Sequence, residues 1–104
     1  MDNVVVFITA SGEEEAARIA HAILAARIAA CVNIVKGMRS MYRWKGKIED
    51  EAEVLMIAKT RGALFERLSE KVKELHSYTV PEVIAIPIIS GAEGYLKWLR
   101  EETD

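Results

Sequence analysis

The chain has 104 residues, enough for one hydrophobic core but not for two. Its 14 Lys and Arg against 16 Asp and Glu give a net charge of −2, without the basic excess typical of a nucleic-acid-binding protein. Apolar residues make up 51% of the chain, which favours burial between subunits. The single cysteine, Cys31, excludes an intrachain disulfide, and the apolar run 4–8 is too short for a signal peptide or a membrane span. We therefore expect a soluble, cytosolic protein that binds neither nucleic acid nor membranes.

The first predicted elements are a central strand and a helix. Residues 3–9 form a continuous apolar, β-branched run, which is typical of a strand covered on both faces. Ser11 followed three residues later by Glu14 matches a capping box, so a helix should begin there and end near Ile28. An apolar stripe that ends in Leu24 should face the core.

Residues 31–60 predict one long β-hairpin. The segment is rich in Val, Ile, Met, Tyr and Trp, and Lys45-Gly46 in its middle suits a two-residue turn that needs positive φ. Arms of about 13 residues would be roughly 43 Å long, against roughly 30–35 Å for a whole domain of this size. The outer part also carries apolar side chains, including Tyr42 and Trp44, that a two-stranded ribbon cannot bury alone. The hairpin therefore predicts an obligate homo-oligomer.

The second half of the chain predicts two helices and one more strand. Residues 61–75 carry apolar side chains at helical spacing, and the connector, residues 76–82, contains a proline that prevents a helix. Residues 83–89 predict a strand, in which Pro87 indicates an edge or a bulge. A short third helix should precede a frayed acidic tail, residues 101–104. The side chains of this helix expected to face inward are Tyr95, Leu96, Trp98 and Leu99.

The predicted order is β-α-β-β-α-β with an added C-terminal helix. This is the ferredoxin-like split arrangement of the α+β class, with a four-stranded antiparallel sheet and two helices on one face. Residues 1–104 would form a single domain of this type. The open face of the sheet is a second reason to expect association with other subunits.

Two groups of residues could bind a metal ion, but each could instead have a purely structural role. Cys31 offers a thiolate, but without a second cysteine or a histidine nearby in sequence we favour an inert core position. A run of carboxylates could hold a hard cation, or could pair across the hairpin with basic residues, which we favour. The carboxylates are Glu49, Asp50, Glu51 and Glu53, and the basic residues are Arg39, Arg43 and Lys47.

A second set of candidates lies at the hairpin tip and in the connector. His76 either caps the second helix or lines a pocket together with Tyr78 and Glu82. Tyr42 and Trp44 suit a subunit interface, and a pocket between subunits would also let them stack on a ligand. The sequence has no Ser/His/Asp triad spacing, P-loop, GxGxxG or HExxH, so we expect no enzymatic activity.

Several motifs carry a resemblance to a known family along nearly the whole chain. They are residues 29–33 (AACVN), 40–48 (SMYRWKGKI), Glu53, residues 59–60 (KT), 75–82 (LHSYTVPE) and 95–99 (YLKWL). With these motifs the sequence resembles the divalent-cation tolerance (CutA) family. The resemblance implies a small ferredoxin-like homotrimer whose hairpins pair between subunits, associated with divalent-metal (copper) tolerance and acting by binding rather than catalysis.

The resemblance also implies candidate ligands. Some bacterial members have copper ligands assigned to a first-strand cysteine and a pair of histidines that end the second helix. The matching positions here are Ile8, Leu75 and His76, so His76 is the implied metal ligand for copper or another divalent cation, with Cys31 as a second candidate. The connector departs from the family pattern, because Ser77 stands where a proline is usual, and Thr79 where an acidic or other polar residue is usual.

An alternative function follows from the likeness of the trimer to PII-type signal proteins, which bind nucleotides and metabolites between subunits. The chain would then be a small-molecule sensor or an interaction scaffold. A small anionic ligand would occupy an inter-subunit cleft, with Lys59 supplying the cation. The residues predicted to line that cleft are Trp44, Lys59, His76, Tyr78 and Glu82.

Overall fold

A computed structural model describes residues 3–104, and its element order confirms the predicted topology. The elements are β1 (Asn3–Ala10), α1 (Glu13–Ala25), β2 (Cys31–Trp44), β3 (Lys47–Arg61), a 3-10 turn (Gly62–Leu64), α2 (Phe65–Leu75), β4 (Val83–Pro87) and α3 (Glu93–Glu101). The four strands pair antiparallel in the order β2-β3-β1-β4. This is the ferredoxin-like order, and it places the apolar first strand in the centre as its sequence predicts.

One face of the sheet and the helices α1 and α2 enclose the core. Val6 and Ile8 of β1 are fully buried, and so are Ile23 of α1 and Leu68 and Val72 of α2. Each large apolar side chain buried here contributes about 1.5–3 kcal/mol relative to leaving it in water. The apolar stripe predicted for the second helix is therefore confirmed.

The opposite face of the sheet, here called the open face, carries the alternate residues. By strand register Phe7, Ile57 and Ile84 share this face, since antiparallel partners point to the same side. Ile84 and Ile86 are about half exposed, at 51% and 48%. A single chain therefore leaves an apolar surface on the side away from α1 and α2, where the sequence predicts contacts with other subunits.

The β2–β3 hairpin extends beyond the rest of the sheet as a two-stranded arm. Strand β1 pairs with residues 54–61 of β3. Within the described residues 3–104, residues 38–44 and 47–53 therefore pair only with each other. The turn residues Lys45 and Gly46 have φ of 49° and 81°, the positive values that a two-residue hairpin turn requires. A β-bulge interrupts β2 between Val35 and Met38, where Gly37 also has positive φ, 81°. The chain measures 44 × 25 × 23 Å, in agreement with the predicted long hairpin.

The start and end of α1 differ from the prediction. Gly12 is the N-cap, no side chain within residues 3–104 caps this helix end, and Ser11 hydrogen-bonds to Glu15 rather than forming a capping box. The helix ends at Ala25 because Arg27 adopts a left-handed φ of 60°. Leu24, predicted to face the core, is 39% exposed.

The C-terminal segment is docked on the domain, so the prediction of a frayed tail is wrong. Thr103 is buried, and its hydroxyl accepts a hydrogen bond from Arg61 Nε at 2.9 Å. The Asp104 carboxylate pairs with Arg27 at 3.0 Å, and its backbone N–H donates to the Arg27 carbonyl at 3.0 Å. These contacts fix the end of α3 against the body of the domain.

Two further predictions need correction. In α3 only Leu99 is buried, whereas Tyr95 and Trp98 are 42% and 40% exposed, so the predicted inward aromatic stripe is wrong. Strand β4 ends at Pro87, two residues earlier than predicted, although its edge position is confirmed because it pairs only with β1.

Candidate functional site

A cleft of about 740 Å³ lies where the hairpin arm meets the connector. Aromatic and acidic side chains dominate its walls. The lining includes Thr9, Tyr42, Trp44, Glu49, Glu51, Glu53, Tyr78 and Glu82, together with Arg39, Ser40, Met41, Thr79 and Val80. Its volume lies within the range of small-molecule sites in proteins.

Cross-strand pairing creates the hairpin wall of the cleft. Tyr42 pairs with Glu49, and Ser40 pairs with Glu51, so alternate residues of both strands share one face. The Tyr42 hydroxyl donates to Glu51 Oε1. From the connector, the Tyr78 hydroxyl donates to Oε2 of the buried Glu53 at 2.6 Å. The Tyr42–Glu51 pair therefore lies within the hairpin wall, and the Tyr78–Glu53 pair joins this wall to the connector.

These hydrogen bonds hold both phenols in the protonated form. The hydrogen bond to Glu51 raises the pKa of Tyr42 to about 12, with smaller contributions from desolvation and from the charges of nearby glutamates. Burial, followed by the hydrogen bond to Glu53, raises the pKa of Tyr78 well above its ordinary value of 10.0. At neutral pH both hydroxyls act as hydrogen-bond donors and not as bases or anionic metal ligands.

His76 holds the connector in place through hydrogen bonds of both ring nitrogens. Its side chain is completely buried, its Nε2 lies 2.7 Å from the Thr9 carbonyl, and its Nδ1 accepts the Tyr78 backbone N–H at 3.0 Å. Because a carbonyl can only accept, Nε2 carries the proton in the neutral ring. Both ring nitrogens are therefore engaged, and the Tyr78 ring packs against the imidazole at 4.6 Å between centroids.

Glu15 of α1 is the second anchor of the connector, and sequence reasoning missed it. It is 6% exposed, accepts both the backbone N–H and the hydroxyl of Ser11 at 2.9 Å, and accepts the Ser77 N–H at 2.7 Å. Burial raises the pKa of this carboxyl, but the hydrogen bonds from Ser11 and Ser77 lower it more, to about 2. One signal was available, because Glu15 stands four residues before Ile19 on the core side of the helix.

The structure brings together some of the predicted site residues and separates others. Trp44, Tyr78 and Glu82 line the cleft, and His76 lies directly behind Tyr78. Lys59 lies elsewhere, opposite Val5 in the sheet, where it hydrogen-bonds to Asn33. It therefore does not supply a cation to the cleft within the same chain.

The charges in the cleft oppose an anionic ligand. Among the described residues its lining has four glutamates and one arginine, Arg39. The Arg39 guanidinium pairs with Asp50 at 2.5 Å, which confirms the predicted cross-strand pairing for this carboxylate. Glu51 and Glu53 instead accept hydrogen bonds from tyrosines.

Known proteins match nearly the whole length of the sequence. The family model described as CutA1 divalent ion tolerance protein matches residues 4–102. The chain belongs to this family. The divalent-cation tolerance protein CutA of Thermus thermophilus is 52% identical over 99 residues, covering 95% of this chain and 96% of that protein. The chloroplastic protein CutA of Arabidopsis thaliana is 46% identical, covering 97% of this chain but 56% of that protein.

Solved CutA structures have the same fold. CutA1 from Oryza sativa superposes with a TM-score of 0.97 at 46% identity, covering 100% of this chain and 95% of that one. The protein described as periplasmic divalent cation tolerance protein CutA from Archaeoglobus fulgidus gives 0.95 at 43% identity, covering 98% and 99%. No helix within residues 3–104 is long and apolar enough to cross a membrane.

The divalent cation implied by the family does not fit the two predicted metal ligands within one CutA chain. Cys31 pairs with Lys59, opposite Val5, whereas His76 contacts the carbonyl of Thr9. Val5 and Thr9 are four residues apart on β1, which is about 13 Å along the strand. The described residues also contain no group of three or more His, Cys, Asp or Glu placed to hold a metal ion. Copper at His76 and Cys31 stays a prediction that the single-chain geometry does not support.

Proposed function

We propose that this CutA-family chain acts in divalent-cation tolerance as a homotrimeric, cytoplasmic binding protein and not as an enzyme. Its ligand site would be the cleft between the hairpin arm and the connector, and the ligand would be a cation. Copper is the divalent ion to test first, and its ligands would come from more than one subunit, because the described residues of one chain place no three metal-binding side chains together. The observation that carries the proposal is the acidic cleft, whose only described basic residue is already ion-paired.

The electrostatics of the cleft favour a cation. Glu49, Glu51 and Glu53 stand on one face of β3, and Glu82 faces them from the end of the connector. A concave surface lined by one sign of charge concentrates oppositely charged ligands. Glu53 is 7% exposed, so water screens its charge less than that of an exposed carboxylate.

The contacts in the cleft support binding rather than catalysis. Both phenols are held protonated by carboxylates, so neither is available as a nucleophile or base near neutral pH. Within residues 3–104 no hydrogen bond joins a serine or cysteine side chain to a histidine, the contact that activates a nucleophile. The buried His76 instead holds the connector in place.

The exposed apolar surface supports self-association. Met41 and Ile48 of the hairpin arm are 64% and 69% exposed, and the open face adds the half-exposed Ile84 and Ile86. Apolar surface of this extent on a small chain is typical of a protein interface. Met41 also lines the cleft, so a subunit that covers this residue would border the ligand site.

Native mass spectrometry and calorimetry test the proposal. We expect a trimeric mass and saturable Cu(II) uptake that Glu51→Gln weakens about tenfold or more through loss of one carboxylate. Glu70→Gln, an exposed carboxylate of α2, is the matched control and should bind as the unmodified protein does. A monomeric mass would overturn the assembly. Uptake that is unsaturable, or equal in both variants, would overturn the site, and binding of a nucleotide or organic anion would favour the sensor alternative.

A further inference from the structure

We propose that the natural ligand of the cleft is a small linear organic diamine. This inference rests on the proposed function, because it assigns a ligand class to the same acidic cleft. It departs from that function by replacing a bare metal ion with a dication that carries an apolar chain.

The aromatic walls suit an alkylammonium group. Tyr42, Trp44 and Tyr78 all line the cleft, and Trp44 remains 43% exposed. An ammonium over an aromatic face is attracted by the negative face of the ring, and a methylene chain gains apolar contact. The hairpin tip already shows this preference, since Lys45 Nζ lies 5.9 Å from the centroid of the Trp44 ring.

The spacing of the carboxylates suits two charges held apart. Glu49, Glu51 and Glu53 alternate along β3, so successive members of this row are about 7 Å apart along the strand. A metal ion needs several oxygens within about 2.0–2.6 Å of itself, and the described residues offer no such group. Two ammonium groups joined by a short alkyl chain can instead each meet a different carboxylate.

The hydrogen bonds in the cleft leave carboxylate oxygens that can accept hydrogen bonds from an ammonium group. Tyr42 engages Oε1 of Glu51, and Tyr78 engages Oε2 of Glu53, so each phenol bonds one oxygen of its carboxylate. Within residues 3–104, Oε2 of Glu51 and Oε1 of Glu53 accept no hydrogen bond. An alkylammonium has three donors and no acceptor, which complements a wall of carboxylates.

Titration calorimetry with putrescine as the probe tests this assignment on the full chain. Butylamine, with the same chain length and one charge, is the matched monocation, and Mg²⁺ is the matched metal dication. We expect saturable putrescine binding about tenfold or more tighter than butylamine binding, since the second ammonium gains a charge-assisted hydrogen bond. Glu51→Gln should weaken putrescine binding about tenfold, whereas Glu70→Gln should not change it.

The role of the aromatic wall has its own variants. Trp44→Leu should weaken putrescine binding, and Trp44→Phe should restore it to within about threefold, because Phe retains an aromatic face. Native mass spectrometry of each variant confirms that assembly is intact. Equal affinity for putrescine and butylamine, or equal loss in the Leu and Phe variants, would overturn the diamine assignment. Metal binding that depends on Glu51, without putrescine binding, would overturn this inference alone, and absence of all cation binding would overturn the proposed function as well.

Discussion

Glu15→Gln probes the anchor that joins α1 to the connector. The buried carboxylate accepts three hydrogen bonds from Ser11 and Ser77, and its pKa falls from 4.5 to about 2. At about 1.4 kcal/mol for each tenfold change in proton affinity, this corresponds to about 3 kcal/mol of folding free energy. Glutamine keeps one oxygen acceptor but turns an NH₂ group toward one of the donors. We therefore expect it to lower the free energy of unfolding by about 3 kcal/mol at pH 7.

The pH dependence separates this charge effect from a packing effect. A carboxyl with a lowered folded-state pKa stabilises the fold fully above pH 4.5, and this contribution is lost as the pH falls toward about 2. Urea unfolding at a fixed protein concentration measures the free energy of unfolding of both proteins. The difference between the unmodified protein and the Glu15→Gln variant should decrease as the pH falls over that interval. Glu14→Gln, exposed in the same helical turn, should change stability by a few tenths of a kcal/mol. A difference in unfolding free energy that stays constant from pH 7 to pH 2 would refute the reasoning. So would a difference that is smaller than about 1 kcal/mol at pH 7.

Three other substitutions test single contacts by urea unfolding. Tyr78→Phe removes the donor to the buried Glu53 and should cost about 1–3 kcal/mol. Thr60→Val keeps the shape of a fully buried side chain whose hydroxyl donates to a backbone carbonyl at 2.8 Å, and should cost about 1–3 kcal/mol. Gly46→Ala places a side chain at a φ of +81° in open space and should cost about 1–2 kcal/mol. Gly12→Ala, at an extended φ of −175° and also in open space, is its control. It should cost less, about 0.5 kcal/mol, because Gly12 is the N-cap of α1 and alanine caps a helix less well than glycine.

Each of these expectations has a contradicting result. Unchanged stability of the Phe variant would mean that Glu53 finds another donor. A neutral Thr60→Val would mean that the carbonyl is solvated in the folded state. Equal effects at Gly46 and Gly12 would show that the positive φ of the turn is not what limits the substitution.

The topology was predictable because its signals are local. The apolar run of β1, the alternating arms around Lys45-Gly46 and the helical stripe of α2 each lie within one stretch of sequence. The candidate site was predictable only in part. Trp44 and Tyr78 each stand in a local motif, at the turn and in the connector, but the fold alone brings these two segments to one cleft.

Three of the failures involve partners that are distant in sequence. The local sequence suggested a capping box at Ser11. Instead Ser11 donates to Glu15, whose carboxylate also accepts the N–H of Ser77, 62 residues after Glu15. The tail was expected to fray, yet Asp104 reaches Arg27 across 77 residues. Strand pairing, rather than residue type, decides that Lys59 lies away from the cleft. Composition and local residue spacing do not show which residues distant in sequence contact one another in the fold.

The β-bulge in β2 lets the two strands of the hairpin differ in length without changing which residues face each other. Side chains alternate along a strand, so one extra residue exchanges even for odd positions beyond it. The extra residue of β2 lies between the pairs Val35–Leu55 and Met38–Glu53. Deleting Gly37 would leave one residue on each strand between these pairs, and Tyr42 would still pair with Glu49. Loss of this single codon would thus remove the bulge but keep the aromatic and acidic walls of the cleft in place. In the evolution of such hairpins, the bulge is a position where an insertion or deletion can occur without changing the ligand that the cleft selects.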